Sequence, residues 1–182
     1  MMGNYQNDSA AYYMERRSML DTTNVEWMIE AGLFVNDYLA DYGRAIRHYR
    51  NAKSIATELY GDNNIAVARC DILIGKSLME QGRYSRAMDS FFKAKVILES
   101  MPQQGLSDLA DCYAQIALVY SHMEEPPYMN ATKSIKRAVE LVRTEYGDQS
   151  IPYANILTLK ASMPPDMFDT DRLGGLYKAQ QI

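Results

Sequence analysis

Apolar residues recur along most of this chain at the three- and four-residue spacing of an amphipathic helix. Three of these series have similar composition: Met28, Ala31, Gly32, Val35; Ile72, Ile74, Gly75, Leu78; and Tyr113, Ile116, Ala117, Tyr120. The pattern predicts helices over residues 8–21, 24–39, 41–59, 64–81, 84–100, 105–123, 127–145 and 150–162. The predicted fold class is therefore all-α.

The predicted helices belong to an internal repeat. Three segments share the pattern Tyr-x-x-Ala-x-x-x-(aromatic or Ile)-x-x-Ala, and they begin at Tyr42, Tyr84 and Tyr128. Their starts are 42 and 44 positions apart. A repeat of this length is typical of proteins built from stacked helix pairs.

A second periodic series supplies small residues to the first helix of each pair. Gly32, Gly75 and Ala117 follow one another at intervals of 43 and 42 positions. A small residue lets two helix backbones approach closely, and a bulky side chain on the partner helix fills the space opposite. One such hairpin cannot bury its apolar face alone, so the copies are expected to stack into a solenoid.

The turns between pairs also repeat. The sequence Tyr-Gly-Asp occurs at 60–62 and again at 146–148. A glycine in this place is suited to ending a helix. Asp62 and Asp148 are predicted to cap the helices that follow.

These features resemble the tetratricopeptide repeat (TPR) family, and the match covers about residues 24–162. The second repeat carries the signature most completely: Gly75, Gly82, Tyr84, Ala87, Phe91 and Ala94. The spacing resembles the 42-residue subtype of kinesin light chains. The resemblance implies a right-handed α-solenoid of about three helix pairs with N-terminal and C-terminal capping helices. The expected organisation is an N-terminal segment with a capping helix (1–23), the repeat domain (24–162) and a C-terminal tail (163–182).

In this family the first helix of each pair lines a concave groove. Carried over residue by residue, the partner-binding groove positions here include Ile29, Leu33, Ile72, Lys76, Met79 and Leu118. Such a groove can be filled by the chain's own leading helix or tail, or by a helix or linear peptide from a partner. The basic set with which co-chaperones of the family clamp a C-terminal carboxylate is missing, so that role is disfavoured.

The second helices carry an excess of basic residues. Segments 41–59, 83–100 and 127–145 each hold two net positive charges, whereas the whole chain has a net charge of −4. The main contributors are Arg44, Arg47, Arg50, Arg86, Lys93, Lys133, Lys136 and Arg137. A solvated helix face is one interpretation of this convex basic face. The other interpretation is that this face binds an acidic protein surface.

Composition narrows the chemistry further. Among the 182 residues there are two Cys and two His, without metal-ligand spacing and without a nucleophile beside a base. No enzyme activity, metal or cofactor is expected. No membrane partner is expected, since the chain lacks a long apolar run. No nucleic-acid partner is expected either, since the pI is about 5.2. Few cysteines and no secretory leader favour the cytoplasm.

The expected function is a non-catalytic protein–protein interaction scaffold. It would be a subunit or adaptor of a larger intracellular assembly, with a cytoskeletal or ciliary one suggested by the kinesin-light-chain-like spacing. The alternative is a peptide-binding adaptor or co-chaperone that grips a linear motif in its concave groove.

Overall fold

The structure is a computed structural model that describes residues 2–101, 104–123 and 128–165, with side chains from residue 7 onward. Over these residues the protein is all-α, as predicted. Its helices are α1 (Met2–Leu20), α2 (Val25–Leu39), α3 (Tyr42–Tyr60), α4 (Ile65–Glu80), α5 (Tyr84–Glu99), α6 (Leu106–Ser121), α7 (Tyr128–Tyr146) and α8 (Ile151–Ala161). The bounds of α2 to α8 lie within two residues of the predicted ones. Helix α1 begins six residues earlier than predicted.

The chain divides into two compact units, Met1–Ser100 and Met101–Ile182. In the first unit, α2 packs against α3 and α4 against α5, which are the first two predicted pairs. Helix α1 packs against α2, as a capping helix would, and α3 packs against α4. In the second unit, α6 and α7 form the third pair, and α8 packs against both. Most of the predicted tail lies outside the described residues.

Small residues bring the helices of each pair together in the predicted way. A Cβ atom added to Gly75 would lie 2.5 Å from the Cε1 atom of Phe91, and one added to Gly32 would lie equally close to Cε1 of Tyr49. Both rings are buried. The space that each glycine leaves is therefore filled by the aromatic residue of the partner helix.

The predicted helix caps are shifted by two residues. Asn64 accepts a hydrogen bond from the backbone N–H of Ala66 at 2.8 Å, and Ser150 accepts one from Tyr153 at 3.3 Å. The prediction that Asp62 and Asp148 cap these helices was wrong. Only the residue directly before the first turn can reach the unpaired N–H groups of that turn, and each aspartate lies two positions too early.

Candidate protein-interaction surfaces

Two of the predicted groove residues are buried. Ile29 and Ile72 each have about 3% of their surface exposed. Ile29 packs into a core cluster with Val25, Ala52 and Val67, which joins α2, α3 and α4. These two side chains therefore stabilise the fold of the first unit.

The other predicted groove residues are partly exposed. Leu33, Lys76 and Met79 lie in the first unit, and Leu118 lies in the second. The structure thus leaves two apolar side chains of the first unit, Leu33 and Met79, partly open to solvent on the first helices of the pairs.

Polar groups on these first helices are already engaged within the protein. Nη1 of Arg69 lies 3.5 Å from Oε1 of Glu26, linking α4 to α2. The Ser77 hydroxyl donates a hydrogen bond of 2.7 Å to Oδ1 of Asn36, between the same two helices. Both contacts therefore join side chains of α2 and α4 to one another.

Helix α1 is anchored through a half-buried carboxylate. Glu15 accepts a hydrogen bond of 2.6 Å from Nε of Arg44 and another from Nη2 of the same side chain. Its Oε1 atom also lies 2.7 Å from Nε2 of His48. The hydrogen bonds from Arg44 hold the pKa of Glu15 below its ordinary value, although burial acts in the opposite direction. Arg44, predicted to belong to the convex basic face, is thus paired with α1.

The other first-unit residues of the predicted convex basic face line a cleft between α3 and α5, with α4 at its floor. The cleft has a volume of about 580 Å³. Six basic residues line it: Arg47, Arg50, Lys53, Arg83, Arg86 and Lys93. Asp71 and Asp89 are its acidic lining residues, and Ile74 and Leu78 belong to its floor. We call this feature the basic cleft.

The arginines of the basic cleft are exposed, and within the described part of the chain none of the four has an ion-pair partner within 4.0 Å. Arg47 and Arg50 project from α3, while Arg83 and Arg86 stand at the start of α5. This arrangement contrasts with the paired polar groups of the first helices. It leaves a dense positive charge available to an acidic ligand.

Lys53 has a different role in the same cleft. Its Nζ atom lies 2.7 and 2.6 Å from the two carboxylate oxygens of Asp71, a residue with only 4% of its surface exposed. Burial raises the pKa of Asp71, while the hydrogen bonds from Lys53 act against that shift. The pair joins α3 to α4, and it removes the main acidic group of the cleft floor from competition for the arginines.

Lys53 and Arg83 were not among the predicted basic residues. Arg83 lies directly before α5, at the position that Asp41 holds before α3, so the repeat pattern did not mark it as basic. Lys53 follows Arg50 by three positions and could have been found from that helical spacing.

The second unit has its own exposed basic residues on α7. Lys133, Lys136 and Arg137 are all exposed. Nη1 of Arg137 donates a hydrogen bond of 2.7 Å to Oε2 of Glu140, one turn further along the helix. Lys133 and Lys136 are therefore the stronger candidates for partner contacts in this unit.

The two cysteines are placed as structural residues. Cys70 and Cys112 are buried, and burial raises the pKa of the Cys70 thiol to about 12, so it is protonated at neutral pH.

The described residues contain no group of three or more His, Cys, Asp or Glu side chains that could hold a metal ion. Among the described helices, none has the length and hydrophobicity needed to span a bilayer.

Comparison with known proteins places the fold. No protein-family model matches the chain, and no curated protein matches it. Solved structures do match, among them BtubC (BKLC) from P. vanneervenii, with a TM-score of 0.68 and 20% sequence identity. The match covers 92% of this chain and 66% of that chain, so this chain spans just under two thirds of its neighbour's length. The protein is therefore a helical-repeat protein with a TPR-like solenoid fold.

Proposed function

We propose that this protein is a non-catalytic protein-interaction module, a TPR-like subunit or adaptor of a larger assembly. We further propose that it binds its partner mainly through the basic faces of its second helices. One observation supports this choice above the others. Four exposed arginines of the basic cleft have no ion-pair partner within the described residues, whereas Glu26, Asn36 and Arg69 on the first helices are engaged by neighbouring side chains.

We also propose a cytoplasmic, cytoskeletal setting for that assembly. The kinesin-light-chain-like spacing of 42 residues favours it. A likeness to BtubC (BKLC) at 20% identity agrees with this proposal at the level of the fold alone.

The alternative is a linear peptide held in the concave groove. Leu33 and Met79 of the first unit and Leu118 of the second are partly exposed and could contact an apolar side chain of such a peptide. A charge introduced at one of these residues would abolish such an apolar contact. The two hypotheses therefore predict that substitutions at different residues weaken partner binding.

Affinity purification of the full chain from its native cells, with quantitative mass spectrometry, separates the two. We expect Arg47→Glu with Lys136→Glu to strip the specific partners, because both reverse an exposed positive charge. Leu33→Glu with Leu118→Glu should leave them bound. Arg16→Glu is the control for each single charge reversal, since this arginine is exposed but lies on α1, outside the second helices.

Loss of the partners with Leu33→Glu and Leu118→Glu, but not with Arg47→Glu and Lys136→Glu, would support the peptide groove instead. Partner recovery that neither pair of substitutions changes would contradict both hypotheses. Circular dichroism melting of each variant confirms that a loss of partners is not a loss of fold.

A further inference from the structure

A second cleft adjoins the basic cleft and has a different chemistry. It has a volume of about 490 Å³ and is lined by apolar side chains from α4 and α5: Val67, Phe92, Val96 and Ile97. Phe92 and Val96 are 40% and 67% exposed, so both side chains are accessible to a ligand. Asp62 and Asn63, in the turn before α4, complete its rim. We call this feature the apolar shelf.

The two clefts are continuous along the outer side of the first unit. Lys53, Asp71 and Lys93 line both of them. The order along α5 is Arg83 and Arg86 at the basic end, Lys93 at the junction, and Phe92 and Val96 at the apolar end. A single extended ligand can therefore contact both clefts at the same time.

The charges of the combined surface favour an acidic ligand. Asp71 is paired with Lys53. The acidic groups that would repel an acidic ligand are therefore Asp89 in the basic cleft and Asp62 on the rim of the apolar shelf. Arg47, Arg50, Arg83, Arg86 and Lys93 outnumber them. Any one exposed ion pair contributes little, but several converging basic groups give both affinity and orientation.

Resting on the proposed function, we infer that the basic cleft and the apolar shelf together bind one acidic protein segment that carries a large aliphatic side chain. The carboxylates of the segment contact the arginines of the basic cleft. Its aliphatic side chain packs against Phe92 and Val96. Such a bipartite contact fixes the direction of the segment, because the charged and apolar parts of the site lie at opposite ends.

The chemistry favours a protein segment over a nucleic acid. Binding of single strands relies on several aromatic side chains that stack on successive bases. Among the residues that line the two clefts, the aromatic one is Phe92, in the apolar shelf.

The probe for this inference is a short fluorescein-labelled peptide of Asp and Glu with one leucine near its C-terminal end. Its affinity for the full chain is measured by fluorescence anisotropy. We expect a Kd of about 10–100 µM, typical of a short flexible ligand on an exposed site. The affinity should fall at least about threefold between about 0.05 M and 0.3 M salt, because the charges are solvent-exposed.

Each half of the site has its own variants. Arg50→Glu with Arg86→Glu should weaken binding at least about tenfold, and Arg50→Gln with Arg86→Gln should weaken it less. Phe92→Ser with Val96→Ser should reduce the affinity to that of a peptide with alanine in place of leucine. Arg16→Glu with Arg143→Glu makes the same change in net charge at residues that line neither cleft, and it should leave the Kd within about twofold.

Several results would overturn the inference. These are no binding of the leucine peptide at about 1 mM, equal weakening by the control variant, or equal affinity for the alanine peptide. A single-stranded oligonucleotide that binds more tightly, with the same sensitivity to Arg50 and Arg86, would assign the cleft to nucleic acid. If the peptide fails to bind but Arg47→Glu with Lys136→Glu still strips the native partners, the proposed function stands and this inference fails.

Discussion

At the residue scale, the close approach of paired helices depends on matched residues at two repeat positions. Gly75 faces Phe91 and Gly32 faces Tyr49, with no room for a Cβ in either case. The third pair has Ala117 and Ile135 at the corresponding positions, and both are buried. A larger residue on the first helix is thus accompanied by a smaller one on the second, which keeps the combined volume similar.

Another residue-scale feature lies in the turns inside the first two pairs. Ala40 has a backbone φ of 51° in the left-handed region, and Gly82, 42 positions later, has a φ of 69°. Alanine pays a steric cost there that glycine does not. A Cβ added to Gly82 would meet no atom within 4 Å, so the cost of alanine at this position comes from the backbone conformation alone.

We therefore expect reciprocal effects from exchanging the two residues. Ala40→Gly should raise the free energy of unfolding by about 0.5–1 kcal/mol, and Gly82→Ala should lower it by a similar amount. Urea denaturation with an unchanged m-value is the measurement. A lower stability of Ala40→Gly would show that the first turn does not adopt the left-handed conformation.

At the element scale, α1 is held to the first pair by electrostatic contacts as well as packing. Glu15 bridges α1 to Arg44 and His48 of α3. Arg17 pairs with Glu30 of α2 and lies over the ring of Trp27, with its Cζ atom 5.1 Å from the ring centroid. These contacts orient α1 as a cap on α2.

The lowered pKa of Glu15 gives its contribution a definite pH dependence. Because the folded state favours the carboxylate, the stabilisation is fully present above the ordinary pKa of 4.5 and is lost as the pH falls through the lower folded value. We expect Glu15→Gln to reduce the free energy of unfolding by about 1 kcal/mol at pH 7. Urea unfolding at several pH values should show this difference shrinking below about pH 4.5.

Glu30→Gln is the control for that measurement. Glu30 and Arg17 have side chains that are 48% and 39% exposed, compared with 16% for Glu15. The loss of unfolding free energy caused by Glu30→Gln should therefore be smaller than that caused by Glu15→Gln. Equal effects of the two substitutions would contradict a special anchoring role for Glu15.

At the scale of the whole molecule, charge is distributed unevenly. The chain has a net charge of −4, yet the segments that contain its second helices are each positive. Ion pairs in the first unit, such as Glu15 with Arg44 and Asp71 with Lys53, connect helices to one another. The arginines of the basic cleft make no such connection within the described chain, so we expect the fold not to depend on them.

This division predicts that the cleft can be neutralised without loss of stability. Replacing Arg47, Arg50, Arg83 and Arg86 together by Gln should change the free energy of unfolding by less than about 1 kcal/mol, or raise it, because like charges repel one another. Chemical denaturation measures the stability, and the peptide-binding assay measures the function. A loss of stability above about 2 kcal/mol would assign these arginines a structural role.

Helix positions and pairing followed from local and periodic information. The apolar spacing predicted α2 to α8. The spacing of small and aromatic residues predicted which helices pair and that a bulky side chain fills the space opposite each small residue. These features were accessible because the side-chain period of a helix and the length of the repeat are both written directly in the chain.

The surfaces needed the three-dimensional arrangement. Ile29 and Ile72 share the apolar character of Leu33, and only the packing of neighbouring helices shows that the first two are buried and the third is partly exposed. Arg44 likewise differs from Arg47 through a carboxylate 29 positions earlier in the chain. Periodicity is sufficient for helices and their pairing, because these depend on neighbours in the chain. The free arginines and the adjoining apolar shelf emerge only from packing, because exposure and charge pairing depend on residues far apart in sequence.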